Sequence, residues 1–261
     1  MKPITHASAK ERRAQILQLL EKSNEVLVTE LSELLATSEV TIRKDLTLLQ
    51  SRNLLVRTRG GAIRRPAQNT NEDVAIGQKR MFNFREKERI GRLAASLIKE
   101  GDCIMIDSGT TTLEIAKNLG RFENLSIVTN AMNIAMELMK YKRFNVVILG
   151  GHLRINSHST IGPIAMHTLS NFSNYKLFVG VDSFSIESGI STPNLEEAML
   201  NQAMIAQAKT TIAVFDSSKF NKRSFCHIAS AEQIDTIVTD DNLPSGLATQ
   251  IKNKGIELLL A

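Results

Sequence analysis

The 261-residue chain holds two cysteines, Cys103 and Cys226, far apart and without metal-ligand spacing. That scarcity excludes a disulfide framework and a structural zinc site, and it points to reduced thiols in a cytoplasmic setting. No apolar run approaches the length of a membrane span. The opening "MKPITHASAKERRAQ" lacks the apolar centre of a signal peptide. Internal repeats and low-complexity tracts are absent too. The five histidines form no triad and no metal set, so neither a metal nor an organic cofactor is expected. What is present is ample apolar content, 43% of residues, enough to fill two folded units.

Net charge is +5, and its placement is uneven. Up to Pro66 the chain carries 12 lysines and arginines against 7 acidic residues, whereas the remainder has 20 of each. All the excess positive charge therefore sits in the first quarter, as in a small nucleic-acid-binding unit joined to a neutral domain.

The spacing in that quarter is helical. "SAKERRAQILQLLEK" opens with a capping box, Ser8 facing Glu11, and continues with Ile16, Leu17, Leu19 and Leu20 on one face. "NEVLVTELSELLA" reads as a short extended piece, then a helix capped by Thr29 with Leu31, Leu34 and Leu35 inward. A third helix starts near Ser38 and buries Ile42, Leu46 and Leu49 at i, i+4, i+7. "LLVRTRGGA" alternates like a strand and breaks at Gly60-Gly61. Three short helices and a β-wing make a winged helix-turn-helix over residues 1–66. The polar stretch 67–83 reads as a linker.

From residue 84 onward the pattern changes. "FREKERIGRLAASLIKEGD" is a helix with Ile90, Leu93, Leu97 and Ile98 inward and Gly101 as its stop. Six short Ile- and Val-rich runs then alternate with helical stretches: "CIMIDSG", "LSIVTNA", "FNVVILGG", "KLFVGVD", "TIAVFDSS" and "DTIVTDD". They are expected to form buried parallel strands with helices on both faces, a doubly wound α/β domain over 84–261. Ligands of such sheets bind outside the carboxyl ends of the strands.

With its apolar side turned inward, the third helix offers Val40, Thr41, Arg43, Lys44 and Thr47 to a DNA major groove. Arg43 can fork onto guanine, while Lys44 and the hydroxyls of Ser38 and Thr41 suit phosphates. Ser38 equally serves as a helix cap, and Asp45 as a counter-charge to Arg43 or Lys44. Arg57 and Arg59, two apart on a strand, point to one side and can reach the backbone or a minor groove.

The segments "RRAQILQLL", "VTELSELL", "SEVTIRKDLTLL" and "RTRGGA" resemble the signature of the DeoR family of bacterial sugar-metabolism regulators. The resemblance continues through "IDSGTTT", "VTNA", "LGGHLR", "GVD" and "FDSSKFN", nearly the whole chain. "GGHLR", "STPNLEEAMLN" and "DSSKFN" are most similar to regulators of amino-sugar and hexitol catabolism. Two positions depart from the pattern: Arg59 stands where the family commonly has histidine, and Lys44 where it favours arginine.

"IDSGTTTLEIAKNL" is a strand, a small-residue turn and a helix beginning near Thr110. Backbone N–H groups at such a start, with hydroxyls nearby, suit a phosphate; they equally make an ordinary cap. Ser108, Gly109, Thr110 and Thr111 are the phosphate candidates, with Lys219 completing the charge if its strand lies near. Asn130, Arg154, Asp182 and Asn194 are candidates for the sugar. His152 can bind a hydroxyl or stand as a plain loop residue.

The domain resembles the folds of ribose-5-phosphate isomerase and glucosamine-6-phosphate deaminase. That resemblance calls for paired carboxylates after "GVD", and only Asp182, with Glu187 farther along, stands there. Asn194 and Glu197 have capping-box spacing, which favours a structural role for Glu197. No catalytic residue is assigned. The expectation is a cytoplasmic repressor that binds double-stranded operator DNA as a homo-oligomer, dimer or tetramer, under control of a phosphorylated sugar. The rivals are a sugar-phosphate isomerase with a DNA-binding appendage and a DNA-architectural protein with an inert second domain.

Overall fold

The computed structural model describes residues 8–23, 25–51, 54–64, 70–243 and 245–261. The chain divides into two compact units, residues 1–68 and 69–261. Pro66 and residues 67–69, where the linker was expected to begin, lie outside the described residues. The rest of that stretch differs from expectation: it contains a helix, α4 (Ile76–Met81), belonging to the second unit.

The first unit runs α1 (Ala9–Ser23), β1 (Glu25–Leu27), α2 (Val28–Leu34), α3 (Glu39–Ser51), β2 (Leu55–Thr58) and β3 (Gly61–Arg64). The capping box holds α1 at its start: Glu11 N donates to Ser8 Oγ at 3.3 Å, and Ser8 N to Glu11 Oε2 at 2.9 Å. Ile16, Leu20, Leu31, Ile42, Leu46, Leu49 and Leu55 make the core. The strands form an antiparallel sheet in the order β1-β3-β2, so the wing hairpin is pinned by the short strand before α2. The adjacent glycines do different work. Gly60 takes φ +106°, a left-handed turn that side chains avoid, whereas a Cβ on Gly61 would lie 2.0 Å from the Val26 carbonyl oxygen.

Three local expectations fail. Helix α2 begins at Val28 behind Leu27, with no side-chain cap, so Thr29 lies inside it. Leu34 is 65% exposed, because the side of the helix turned to the core is the one carrying Val28, Leu31 and Leu35. Arg59 falls in the hairpin turn rather than on β2, which ends at Thr58.

The second unit continues with α5 (Phe84–Ser96), β4 (Cys103–Ile106), α6 (Thr110–Ala116), β5 (Ser126–Thr129), α7 (Met132–Leu138) and β6 (Asn145–Ile148). The hairpin β7 (His152–Arg154) and β8 (Ser159–Ile161), α8 (Pro163–Leu169) and β9 (Tyr175–Gly180) follow. Then come β10 (Ser183–Ser185), β11 (Gly189–Thr192), α9 (Leu195–Gln207), β12 (Ala208–Val214) and β13 (Cys226–Ala229). The last elements are β14 (Thr236–Thr239), α10 (Ser245–Asn253) and β15 (Glu257–Leu260). Helix α5 stops at Ser96, before the expected end; Gly101, at φ +80°, lies in the turn beyond it.

Seven strands form one parallel sheet in the order β15-β14-β12-β9-β4-β5-β6. Side chains alternate across it. Ile104, Ile106, Phe178, Ile212 and Val214 enter the core shared with α5, α6 and α7. Met105, Leu177, Val179, Ala213 and Phe215 enter the opposite core, with α8, α9 and α10. Helices thus cover both faces. Close approach fixes one of these layers: a Cβ on Gly91 of α5 would meet the Glu114 backbone of α6 at 2.6 Å.

The chain winds outward from β4 through β5 to β6, then returns to the other side of β4 and winds out through β9, β12, β14 and β15. The order therefore reverses between β4 and β9, which makes the carboxyl edge there the switch point at which ligands of such sheets bind. The antiparallel pair β7-β8 and the sheet β10-β11-β13 are additions that the sequence patterns did not announce.

Candidate nucleic-acid interface and sensor site

Helix α3 presents an open trough lined by Val40, Arg43, Lys44, Thr47, Leu48 and Ser51. Val40, Arg43, Lys44 and Thr47 are exposed. Arg43 Nη2 rests on Glu39 Oε2 at 2.7 Å, an i,i+4 pair in which both side chains are about half exposed. Such a pair adds little stability, so the guanidinium is free to turn to a base edge. Ser38 caps the helix: Thr41 N donates to its Oγ at 3.3 Å, and the two hydroxyls lie 2.9 Å apart. Arg57 Nη1 donates to Thr47 Oγ1 at 2.9 Å, tying the wing to the exposed side of α3, while Arg59 is exposed at the wing tip.

Asp45 does not neutralise Arg43 or Lys44. It is buried and holds Arg12 Nε at 2.6 Å, with Arg13 Nε at 3.7 Å. Two arginines that counted toward the basic surplus thus brace α1 against α3. Sequence separation of 33 residues hid the pair.

In the second unit, the loop after β4 carries Asp107, Ser108 and Gly109 into α6. Ser108 N donates to Asn130 Oδ1 at 3.1 Å, so the ends of β4 and β5 are joined there. Thr110 and Thr111 are buried in the first turn of α6, where backbone N–H groups lack helical partners. Asp107 was not singled out from the sequence. It is fully buried, accepting from Gly180 N at 3.3 Å and Asn201 Nδ2 at 3.4 Å. Burial, with the Glu197 charge added, pushes its pKa up to about 8, so it is protonated at neutral pH. Around it, Asp107 Oδ1, Asn130 Nδ2, Asn201 Oδ1 and Thr112 Oγ1 are buried without hydrogen-bond partners among the described residues.

A second cluster gathers around Asp182 and Arg154. Asp182, just past β9, accepts from Lys79 Nζ at 2.5 Å and from Thr192 Oγ1 at 3.2 Å. Burial alone would raise its pKa; the Lys79 and Lys219 charges outweigh that and hold it below the ordinary carboxylate range. Lys79 is held above its usual value, Asp182 and Glu197 outweighing burial. Arg154 lies between two carboxylates, Asp73 at 2.5 Å and Glu197 at 3.1 Å. Burial and the Asp182 charge raise the pKa of Glu197.

Asn194 is the N-cap of α9, its side chain accepting from Glu197 N at 2.9 Å. Only that half of the expected capping box is present, because the Glu197 carboxylate turns to Arg154 instead. Glu187 is carried away in the β10-β11 turn, and His152 is exposed at the start of β7.

Lys219 ends a 3-10 turn, Ser217–Lys219, after β12. Strand β9 separates β12 from β4, so Lys219 does not come from a strand next to the Ser108–Thr111 loop. Its charge acts on Asp182, Asp216 and Lys87. Its side chain makes no hydrogen bond or ion pair among the described residues. Lys87 is buried, donates to the Lys79 carbonyl at 2.5 Å, and has its pKa lowered to about 8, chiefly by burial. Among the described residues no cluster of His, Cys, Asp and Glu is suited to a metal ion, and no helix is long and apolar enough to cross a membrane.

A winged helix with an exposed basic recognition helix, joined to a doubly wound domain with buried, unpartnered polar groups at its switch point, defines a DNA-binding regulator with a sensor domain. Comparison with known proteins identifies which. The family described as "DeoR-like helix-turn-helix domain" matches residues 12–67, and "DeoR C terminal sensor domain" matches residues 48–241. The chain belongs to the DeoR family of transcriptional regulators; it is a regulator, not an enzyme.

Among its relatives is the putative aga operon transcriptional repressor of Escherichia coli O157:H7, 37% identical over 250 residues, 96% of this chain and 93% of the relative. The transcriptional repressor GlcR of Bacillus subtilis is 34% identical over 250 residues, 96% of this chain and 95% of the relative. Among solved structures, ribose 5-phosphate isomerase A from Neisseria gonorrhoeae is 15% identical, covering 52% of this chain and 53% of that one, with a TM-score of 0.38.

Proposed function

We propose that the protein represses an operon for catabolism of a carbohydrate, an amino sugar or hexitol, and that a phosphorylated sugar bound at the carboxyl edge of the parallel sheet controls it. The observation that carries this is the set of buried polar atoms without partners, Asp107 Oδ1, Asn130 Nδ2, Asn201 Oδ1 and Thr112 Oγ1, gathered at the β4-β9 switch point. Native proteins seldom bury such groups unsatisfied, and a cluster of them at the switch point of a parallel sheet suits a hydroxyl-rich ligand. Ser108, Gly109, Thr110 and Thr111 are the phosphate-facing groups. Lys219, without an ion pair among the described residues, supplies charge. Asn130, Arg154, Asp182 and Asn194 flank the sugar.

On the DNA side, Arg43 and Val40 of α3 address bases, while Ser38, Thr41, Lys44, Arg57 and Arg59 address the backbone. A dimer or tetramer reads repeated half-sites, since one winged helix spans only a few base pairs. The unpaired cysteines Cys103 and Cys226 accord with a cytoplasmic setting.

Thermal-shift measurements against hexose 6-phosphates, hexosamine 6-phosphates, hexitol phosphates and their dephosphorylated forms test the reading. A ligand bound only by the folded state raises the melting temperature. One phosphorylated member should stabilise the protein and release operator DNA, its dephosphorylated form should do neither, and Lys219→Ala should abolish the response. Response to the unphosphorylated sugar, or an unchanged response of Lys219→Ala, refutes the assignment.

A further inference from the structure

We propose that residues 70–82 form a strap fastened to Arg154 and Asp182, the residues that would hold the sugar, so that an anionic effector and the strap compete for them. The proposal rests on the effector site described above.

The strap opens the second unit and crosses to the site through polar contacts. Thr70 Oγ1 donates to the Arg223 carbonyl, and Ser224 Oγ donates to the Thr70 carbonyl at 2.6 Å. Asp73 meets Arg154 Nη2 at 2.5 Å and accepts from Asn156 Nδ2 at 2.9 Å. Ile76 N donates to the Asn156 carbonyl at 2.6 Å, and Lys79 Nζ donates to Asp182 at 2.5 Å. Ile76 is the one residue of 70–82 that is buried. Helix α4, with six residues, is too short to hold itself together. A segment so poor in apolar burial opens at low cost.

The two ionic fastenings are complementary and opposite in sign. The strap gives a carboxylate to Arg154 and an ammonium to Asp182. The Arg154 side chain is 9% exposed. If Asp73 left without replacement, that cation would be less well compensated in a buried setting, which is costly. Other oxygen acceptors can take its place. The Asp73 contact is close but poorly aligned: Arg154 Nη2 makes no well-directed hydrogen bond. An effector whose phosphate faces Ser108–Thr111 can bring its sugar oxygens to this ill-directed Nη2, and its hydroxyl groups can donate to Asp182 as Lys79 leaves. Residue 70 lies two positions beyond the boundary of the first unit, so the strap is the part of the second unit next in the chain to the DNA-binding unit.

The test is hydrogen exchange on the full chain, with and without whichever sugar phosphate of the panel above raises its melting temperature. Binding should speed exchange across 70–82 and slow it across 104–112. Asp73→Asn and Lys79→Met each weaken the fastening, and each should lower the half-saturating concentration by about tenfold, a typical coupling between linked equilibria. Protection of 104–112 with unchanged or slowed exchange across 70–82 overturns the strap while leaving the effector site standing. Unaltered affinity in both variants does the same. If no member of the panel binds, the effector reading falls and the strap with it.

Discussion

Replacing Asp107 by asparagine should flatten the pH dependence of stability. The carboxyl has an ordinary value of 3.8 and is pushed up to about 8 in the folded protein. A raised folded-state pKa contributes stability that is complete below about pH 4 and is lost as pH rises toward 8, because the unfolded chain gives up a proton that the folded chain keeps. Each pH unit within that window costs about 1.4 kcal/mol, so between pH 5 and pH 7 this one group removes about 3 kcal/mol. Asparagine does not titrate. Its oxygen can accept from Gly180 N and Asn201 Nδ2 as the carboxylate oxygen does, at 3.3 and 3.4 Å, and its amide takes the place of the unpartnered Oδ1. Urea unfolding of both proteins at pH 5, 6, 7 and 8, followed by far-ultraviolet circular dichroism because the chain has no tryptophan, measures the difference. The wild-type-minus-variant gap should shift by about 3 kcal/mol from pH 5 to pH 7 and level off above pH 8. Parallel stability curves would show that Asp107 is ionised throughout, and the burial argument would fail.

Arg43→Ala should lose about 1–3 kcal/mol on a selected operator and much less on random duplex, measured by fluorescence anisotropy; equal losses on both would remove Arg43 from base recognition. Asp45→Ala leaves Arg12 and Arg13 beside one another without their counter-charge and should destabilise the winged helix by about 3–5 kcal/mol. Hydrogen exchange in α1 and α3 reports that loss, and an unchanged rate contradicts it. Lys87, with its pKa lowered to about 8, favours folding above its ordinary value of 10.5 and loses that contribution as pH falls through 8. Lys87→Met should therefore abolish a rise in stability between pH 8 and pH 10.5, and a rise of the same size in the variant refutes burial as the cause.

The sequence by itself determined the helices of the first unit and most strands of the parallel sheet. Helical spacing of Ile42, Leu46 and Leu49 told which side of α3 is buried and hence that Arg43 and Lys44 face outward, because a period of 3.6 leaves one stripe for the core. Ile- and Val-rich runs marked six of the seven parallel strands, since strands covered on both faces have no polar side; β15, "ELLL", holds leucine rather than isoleucine or valine and lacked that signature. Local chemistry, such as the Ser8–Glu11 box and the Gly60-Gly61 turn, was equally legible. Pairings between distant residues were not. Asp107 became a neutral acid only because β9 and α9 close over it, and Asp45 met Arg12 rather than its helical neighbours. Residues 70–82 looked like a linker because they are polar, yet their charges are complementary to Arg154 and Asp182, 81 and 103 positions from their partners Asp73 and Lys79. Which polar groups are buried together depends on strand order and crossover, and a one-dimensional pattern carries period but not proximity.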